Sequence, residues 1–148
     1  MGEERPGSVL FACTMNAVRS PMAAAMLRHL LGRTIYVESA GVRTGSLDPM
    51  AVEAMDELGI EIAAHKPRRF EDLDDTSFDL VITLSPEAQH KAVELTRTAA
   101  TQVEYWPTMD PTAVEGSREQ RLAAYRSVRD GLLTRIRTRF VDRRASDT

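Results

Sequence analysis

The sequence predicts an α/β fold, in which a doubly wound sheet of four parallel strands is flanked by helices on both faces. Short apolar runs alternate with segments of helical periodicity, in the order β-α-β-α-β-α-β-α. The clearest apolar runs lack polar alternation, which is typical of strands buried on both faces. The chain has 148 residues, of which 43% are hydrophobic. We therefore expect a single domain over residues 1–148.

Four apolar runs predict the strands of this sheet. They are residues 8–12, 34–39, 78–84 and 103–106. In a parallel sheet with covering helices, ligands bind beyond the carboxyl ends of the strands. The segments that follow these runs are therefore the places to look for chemistry.

Helix start signals follow each predicted strand. Ser20 is the expected N-cap of the first helix, with Pro21 at its first helical position and Gly32 at its end. The later helices are expected to begin at Asp48-Pro49, at Ser85-Pro86 and at Ser117, where Gln120 completes a capping box.

Helical spacing of apolar residues predicts the inward faces of the last three helices. The expected inward residues of the second and third helices are Val52, Met55, Leu58, Ala88, Ala92 and Leu95. Those of the last helix are Leu122, Tyr125, Val128, Leu132, Ile136 and Phe140. Core burial accounts for this last stripe, so we infer no partner from it and expect a monomer or weak homodimer.

Composition excludes several classes of function. A net charge of −3 does not favour nucleic acid as a partner. No apolar run approaches the ~20 residues that span a bilayer, so no membrane association is expected. The single cysteine cannot form an intramolecular disulfide or a cysteine-based metal cluster. The charged N-terminus shows no signal-peptide pattern, so we expect a cytoplasmic protein. We also expect that it uses no metal or cofactor.

The loop after the first strand has the features of an oxyanion site. It leaves a strand at Cys13 and enters a helix at Ser20, where backbone N–H groups and the helix dipole attract anions. Such a position favours the thiolate form of a cysteine. Arg19 can grip two oxygens bidentately, and Ser20 can donate to the sulfur. The expected substrate-binding residues are Thr14, Met15, Asn16, Ala17, Val18, Arg19 and Ser20.

The spacing of Cys13 and Arg19 is weak evidence when taken alone. An ordinary strand-to-helix turn with a buried cysteine and a surface arginine would show the same spacing. The strand before the loop and the Ser-Pro helix start after it favour the anion site.

The segment from Val9 to Pro21 resembles the signature of the low-molecular-weight protein-tyrosine-phosphatases and their relatives, the arsenate reductases. The matching residues elsewhere are Ser39-Ala40-Gly41, His65, Phe78-Asp79-Leu80-Val81-Ile82 and Asp110-Pro111. The resemblance implies the doubly wound fold predicted above. It implies that Cys13 is the nucleophile, and that Asn16, Ser20, Ser39 and His65 hold the loop in shape.

A phosphocysteine mechanism needs a proton donor for the leaving oxygen. Asp-Pro occurs twice, and Asp48 is explained as a helix cap. Asp110 lies in an irregular stretch beyond the fourth strand, where a plain turn is the alternative interpretation. The family match favours Asp110 as the general acid.

The chain departs from the family pattern at four places. Val18 stands where many of the phosphatases have a second cysteine, and Met15 replaces the common glycine. Asp110-Pro111 is followed by Thr112 and Ala113 instead of tyrosines. The loop 42–47 lacks the aromatic residue that often forms the opposite wall. These missing aromatic residues argue against strict phosphotyrosine specificity, although Tyr105 and Trp106 lie close enough in sequence to contribute a wall.

The expected function is hydrolysis of a phosphomonoester, on a phosphorylated protein or a small phosphoester, through a phosphocysteine. Arsenate reduction coupled to a small-molecule thiol is the first alternative, because arsenate has the shape and charge of phosphate. The thioredoxin-coupled type is excluded, since it requires two further cysteines. A non-catalytic anion-binding module is the second alternative.

Overall fold

The computed structural model describes residues 5–74, 77–97 and 99–142. The two ends of the domain predicted over 1–148 therefore lie outside the described residues. The strands are β1 (Ser8–Cys13), β2 (Tyr36–Gly41), β3 (Leu80–Thr83) and β4 (Gln102–Tyr105). The helices are α1 (Arg19–Leu31), α2 (Pro49–Asp56), α3 (Pro86–Leu95) and α4 (Arg118–Ile136), with short helical turns at Phe70–Asp72, Pro111–Ala113 and Arg137–Val141.

The four strands form one parallel sheet in the order β2-β1-β3-β4. This confirms the predicted four-stranded α/β fold. In the register, Cys13 pairs with Gly41 and Ala12 pairs with Thr83. The carboxyl ends of β1, β2 and β3 therefore meet at one edge, which brings the loops that follow them together.

The two faces of the sheet carry separate apolar clusters, because successive side chains of β1 point in opposite directions. Val9 and Phe11 pack on the side of α1, α2 and α4, and Leu10 packs on the side of α3. All six residues of the predicted stripe on α4 are buried, up to Phe140 in the following turn. Among the helices that the structure describes, none combines the length and apolar character that crossing a bilayer requires.

The helix caps are confirmed at three of the four predicted sites. The side chains of Asp48, Ser85 and Ser117 accept hydrogen bonds from the first turns of α2, α3 and α4. At α1 the prediction is wrong, because the helix begins at Arg19 and none of the side chains that the structure describes caps it. The hydroxyl of Ser20 is engaged in the site described below instead.

Two apolar side chains predicted to face inward are exposed. Leu95 of α3 is 57% exposed, and Leu58 is 38% exposed. Leu58 lies beyond the end of α2, in a turn that Gly59 completes with a φ of +74°. The buried residues of α2 are Ala51, Ala54 and Met55. Ala51 and Ala54 are small, so they contribute less to the hydrophobic periodicity of the sequence than the larger apolar residues beside them.

Candidate active site

A cavity of about 410 Å³ lies at the carboxyl edge of the sheet. Cys13 and Arg19 line it from the loop after β1, and Asp110 lines it from the loop after β4. The structure thus places the predicted nucleophile, phosphate clamp and acid around one space. The other lining residues are Met15, Ala17, Val18, Gly45, Ser46, Leu47, Asp48, Pro49 and Thr112.

The anion loop, residues 13–19, is held by the segment that follows β2. The carbonyl groups of Cys13, Thr14, Met15 and Ala17 accept hydrogen bonds from the amides of Val42, Arg43, Gly45 and Asp48. Within the described residues, no acceptor bonds the amides of residues 14–18. The loop carbonyls are therefore used for anchoring, and the loop amides remain free to surround a tetrahedral oxyanion.

Gly41 permits the close approach of β2 to the anion loop. A Cβ atom at this position would lie 2.8 Å from the backbone nitrogen of Asn16 and 2.5 Å from the carbonyl oxygen of Arg43. Both atoms belong to the backbone, so no side-chain rotation could relieve the contact. The glycine in Ser39-Ala40-Gly41 is thus a requirement of the loop geometry.

Gly41→Ala is expected to lower the free energy of unfolding by about 1–3 kcal/mol and to weaken phosphate binding, because the loop backbone must move away. Thermal unfolding and calorimetric titration with inorganic phosphate would measure both effects. Gly131→Ala is the matched control, since a Cβ there meets nothing within 4 Å. In a helix it should be neutral or stabilising by up to about 1 kcal/mol. Unchanged phosphate affinity in Gly41→Ala would contradict the role assigned to Gly41.

Asn16 is the centre of a buried polar network beneath the loop. Its φ is 53°, a left-handed conformation that asparagine tolerates better than most residues. Its Nδ2 donates to Ser20 Oγ at 2.8 Å and to Ser39 Oγ at 3.0 Å. Its Oδ1 accepts from the Arg68 amide at 2.9 Å and lies 3.1 Å from His65 Nε2. The structure therefore brings together Asn16, Ser20, Ser39 and His65, as the sequence resemblance implies.

The imidazole of His65 braces the backbone of the loop as well as its side chain. His65 Nε2 lies 3.2 Å from the carbonyl oxygen of Asn16. Because both contacted atoms of Asn16 are acceptors, Nε2 carries the proton. Burial lowers the pKa of His65, and the hydrogen bond to Asn16 opposes this effect in part. A neutral imidazole that donates from Nε2 is the form that this environment favours.

The sulfur of Cys13 is hydrogen-bonded to the hydroxyl of Ser20. The Sγ atom lies 2.9 Å from Ser20 Oγ, and both side chains are buried. Since Ser20 Oγ already accepts a hydrogen bond from Asn16, its own proton is shared between Cys13 Sγ at 2.9 Å and the more distant carbonyl oxygen of Ala40 at 3.5 Å. Such a donor stabilises negative charge on Sγ. This use of the hydroxyl explains why Ser20 does not cap α1.

Arg19 connects the anion loop to the segment that carries Asp110. The side chain is 8% exposed, and its Nη1 donates to the carbonyl oxygen of Thr108 at 2.9 Å. A guanidinium group has five N–H donors, so this bond leaves others for an oxyanion. The contact with Thr108 joins residues 89 positions apart, and no local sequence pattern indicates it.

Asp110 is oriented by its own turn. The Oδ1 atom accepts from the amide of Thr112 at 3.0 Å and from its hydroxyl at 2.7 Å. Among the described residues these bonds engage only Oδ1, which leaves Oδ2 for proton transfer. Asp110 is the N-cap of the helical turn at Pro111–Ala113, and this capping hydrogen bond fixes the orientation of its carboxylate.

Asp48 has a larger role than the helix cap predicted for it. Its Oδ1 accepts from the Met50 amide at 2.8 Å, which confirms the cap. Its Oδ2 accepts from the hydroxyl of Tyr125 at 2.6 Å, and the residue also lines the cavity. Burial, followed by the hydrogen bond to Asp48, raises the pKa of Tyr125. The phenol therefore stays protonated, and its hydrogen bond to Asp48 connects one wall of the cavity to α4.

The walls of the cavity are aliphatic. Met15 and Leu47 line it, and Met15 is 39% exposed. Trp106 is buried instead, with its ring edge-on to Phe11 and the guanidinium of Arg135 5.0 Å from its centre. Neither Trp106 nor Tyr105 lines the cavity, so the aromatic wall that their sequence position suggested is not formed. Within the described residues, no group of three acidic, histidine or cysteine side chains is placed to hold a metal ion.

The chain is similar to known proteins in both sequence and structure. Residues 8–139 match the family model described as low molecular weight phosphotyrosine protein phosphatase. An arsenate reductase of Shouchella clausii is 37% identical over 130 residues, which cover 87% of this chain and 91% of the relative. A low molecular weight protein tyrosine phosphatase from T. tengcongensis is 26% identical with a TM-score of 0.72, covering 87% of this chain and 94% of that one. An arsenate reductase in its phosphate-binding state is 28% identical with a TM-score of 0.68, covering 87% and 92%.

Proposed function

Because the chain belongs to the low molecular weight phosphotyrosine protein phosphatase family, we propose that it hydrolyses phosphomonoesters through a phosphocysteine intermediate. It is an enzyme of this class, with arsenate reductases among its relatives. One observation carries the proposal: Cys13, Arg19 and Asp110 line the same cavity at the carboxyl edge of the sheet.

In the first step, the loop amides and Arg19 bind the phosphoryl oxygens. Cys13 Sγ attacks the phosphorus in line with the ester oxygen, so that a sulfur–phosphorus bond forms as the phosphorus–oxygen bond breaks. Asp110 gives its proton to the leaving oxygen. The hydroxyl of Ser20, 2.9 Å from Sγ, stabilises the sulfur as attacking group.

In the second step, water replaces the alcohol. Asp110, now a carboxylate, takes a proton from a water molecule that attacks the phosphorus. The sulfur–phosphorus bond breaks and the electron pair returns to Sγ, again beside Ser20. The network of Asn16, Ser39 and His65 keeps the loop amides in place throughout, because an oxyanion site works only when its donors are already oriented.

We propose a phosphorylated protein or a small phosphoester as substrate. Among the described residues, the lining of the cavity includes no aromatic stacking partner, so selectivity for aryl phosphates such as phosphotyrosine over alkyl phosphates should be modest. We further propose that residues 1–148 act as one cytoplasmic domain, as a monomer or weak homodimer, without a metal, cofactor, nucleic acid or membrane partner.

Arsenate reduction is the second candidate, favoured by relatives that are named arsenate reductases. Cys13 is the only cysteine, so both electrons must come from thiols in solution. Cys13 would displace water from arsenate to form a thioarsenate. One external thiol would then release arsenite and form a mixed disulfide with Cys13, and a second would restore the Cys13 thiol as an external disulfide forms.

Parallel assays of the purified chain test the proposal. We expect hydrolysis of p-nitrophenyl phosphate without any thiol, inhibited competitively by inorganic phosphate. Arsenite production from arsenate and glutathione, with no phosphate ester hydrolysis, would replace the first proposal by the second. Phosphate binding in calorimetry with neither reaction would indicate a non-catalytic anion-binding module.

A further inference from the structure

A charged pair stands beside the anion loop. Glu87, in the first turn of α3, accepts hydrogen bonds from both terminal nitrogens of Arg43, at 3.0 and 3.1 Å. The backbone amide of Arg43 donates to the carbonyl of Thr14 at 2.8 Å. The two side chains are about half exposed. The pair thus links the segment after β2, the start of α3 and the anion loop.

The start of α3, which carries Glu87, also contacts the anion loop through a side-chain hydrogen bond. Thr14 Oγ1 donates a hydrogen bond to Ser85 Oγ at 3.0 Å, and Ser85 precedes Glu87 by two residues at the start of α3. The hydrogen bonds from Arg43 lower the pKa of Glu87 most, with smaller contributions from Thr14 and from the charge of Arg19. Electrostatic interaction is reciprocal, so a carboxylate within the field of Arg19 also acts on an anion that Arg19 binds.

A carboxylate is an unexpected neighbour for an oxyanion site, because it repels the anion. Glu87 is partly explained by its place in the first turn of a helix, where negative charge is favourable. Half-exposed ion pairs contribute little to stability, so stability alone does not account for the bidentate contact with Arg43. The positive charge of Arg43 does, however, cancel the repulsion that Glu87 would exert on the anion.

We propose that the Arg43–Glu87 pair sets the affinity of the anion loop for oxyanions by charge compensation, with Arg43 and Glu87 acting in opposite directions. The two side chains are positioning residues, since they act on the anion through the field at the loop. The proposal rests on oxyanion binding by the loop, which the proposed function also requires.

The test compares Arg43→Gln, Glu87→Gln and the double variant by calorimetric titration with inorganic phosphate. At low ionic strength we expect Arg43→Gln to weaken binding about threefold and Glu87→Gln to strengthen it about threefold. The double variant should bind within about twofold of the wild-type chain, and all differences should shrink at about 0.5 M salt. Arg118→Gln and Glu53→Gln are the controls, because they break an exposed ion pair between α2 and α4 and should leave phosphate affinity unchanged.

The sign of the two single changes separates the proposal from a merely structural role. If the pair only braced the loop, breaking it from either side would weaken phosphate binding in the same direction. That result, or no change in any variant, would overturn the proposal, as would a wild-type chain that binds no phosphate. Hydrolysis of p-nitrophenyl phosphate is measured separately: a wild-type chain that binds phosphate without turnover would refute the proposed hydrolysis and leave this inference standing.

Discussion

Cys13→Ser is expected to abolish turnover of p-nitrophenyl phosphate, with a loss of at least about a thousandfold in kcat. A serine hydroxyl is a far weaker nucleophile than a thiolate at neutral pH. Among the described residues, the side chain that hydrogen-bonds Cys13 is Ser20, which is itself a hydroxyl and not a base that could activate an alcohol. Steady-state kinetics on the purified variant would measure the loss.

Phosphate affinity distinguishes this catalytic effect from unfolding. The loop amides and Arg19 remain in Cys13→Ser, and the oxygen is smaller than the sulfur it replaces. Calorimetry should therefore show phosphate binding within a few-fold of the wild-type value. Wild-type protein with no more turnover than Cys13→Ser would refute hydrolysis by this site. Full activity in the variant would show that water attacks the phosphorus directly.

Asp110→Asn is expected to lower kcat by about 10²–10⁴-fold for phenyl phosphate, whose leaving oxygen needs a proton. The loss should be smaller for p-nitrophenyl phosphate, because its phenolate leaves readily without one. Asparagine can still accept the hydrogen bonds of Thr112 at Oδ1, so the local turn is preserved. The ratio of the two kcat values is the measurement that identifies a proton donor.

Asp48→Asn is the matched control for Asp110→Asn. Asp48 also precedes a proline and lines the same cavity, but its two oxygens accept from Met50 and Tyr125. An amide leaves one of these donors poorly paired, at a cost of about 1–3 kcal/mol in stability. We expect a lower melting temperature and no dependence on the leaving group. An equal loss for both esters in Asp110→Asn, or a leaving-group dependence in Asp48→Asn, would contradict the assignment of the acid.

Local patterns predicted much of the fold and the site. Apolar runs located the four strands, and side-chain caps at Asp48, Ser85 and Ser117 located three helix starts. These signals are readable because a cap is a hydrogen bond between residues two or three positions apart. The position of Cys13 between a strand and a helix likewise indicated an anion site.

The cap of α1 shows where such local reasoning fails. Ser20-Pro21 has the composition of a helix start, yet the Ser20 hydroxyl lies between Cys13 and Asn16. The helix begins one residue earlier, at Arg19, and the Ser20 oxygen accepts from the buried Asn16 amide instead of from the helix backbone. A local pattern cannot show this use of the hydroxyl, because it depends on the path of the anion loop.

The sequence by itself determined the order of the elements and predicted Cys13 as nucleophile with Arg19 six residues beyond it, because all of these depend on neighbours along the chain. Tertiary structure alone decided that Arg19 bonds Thr108, that Tyr125 bonds Asp48, and that Ser85 at the start of α3 bonds Thr14. Each of these contacts joins residues about 70 to 90 positions apart. They depend on the strand order β2-β1-β3-β4 and its register, which bring separate loops to one edge of the sheet and which no local periodicity encodes.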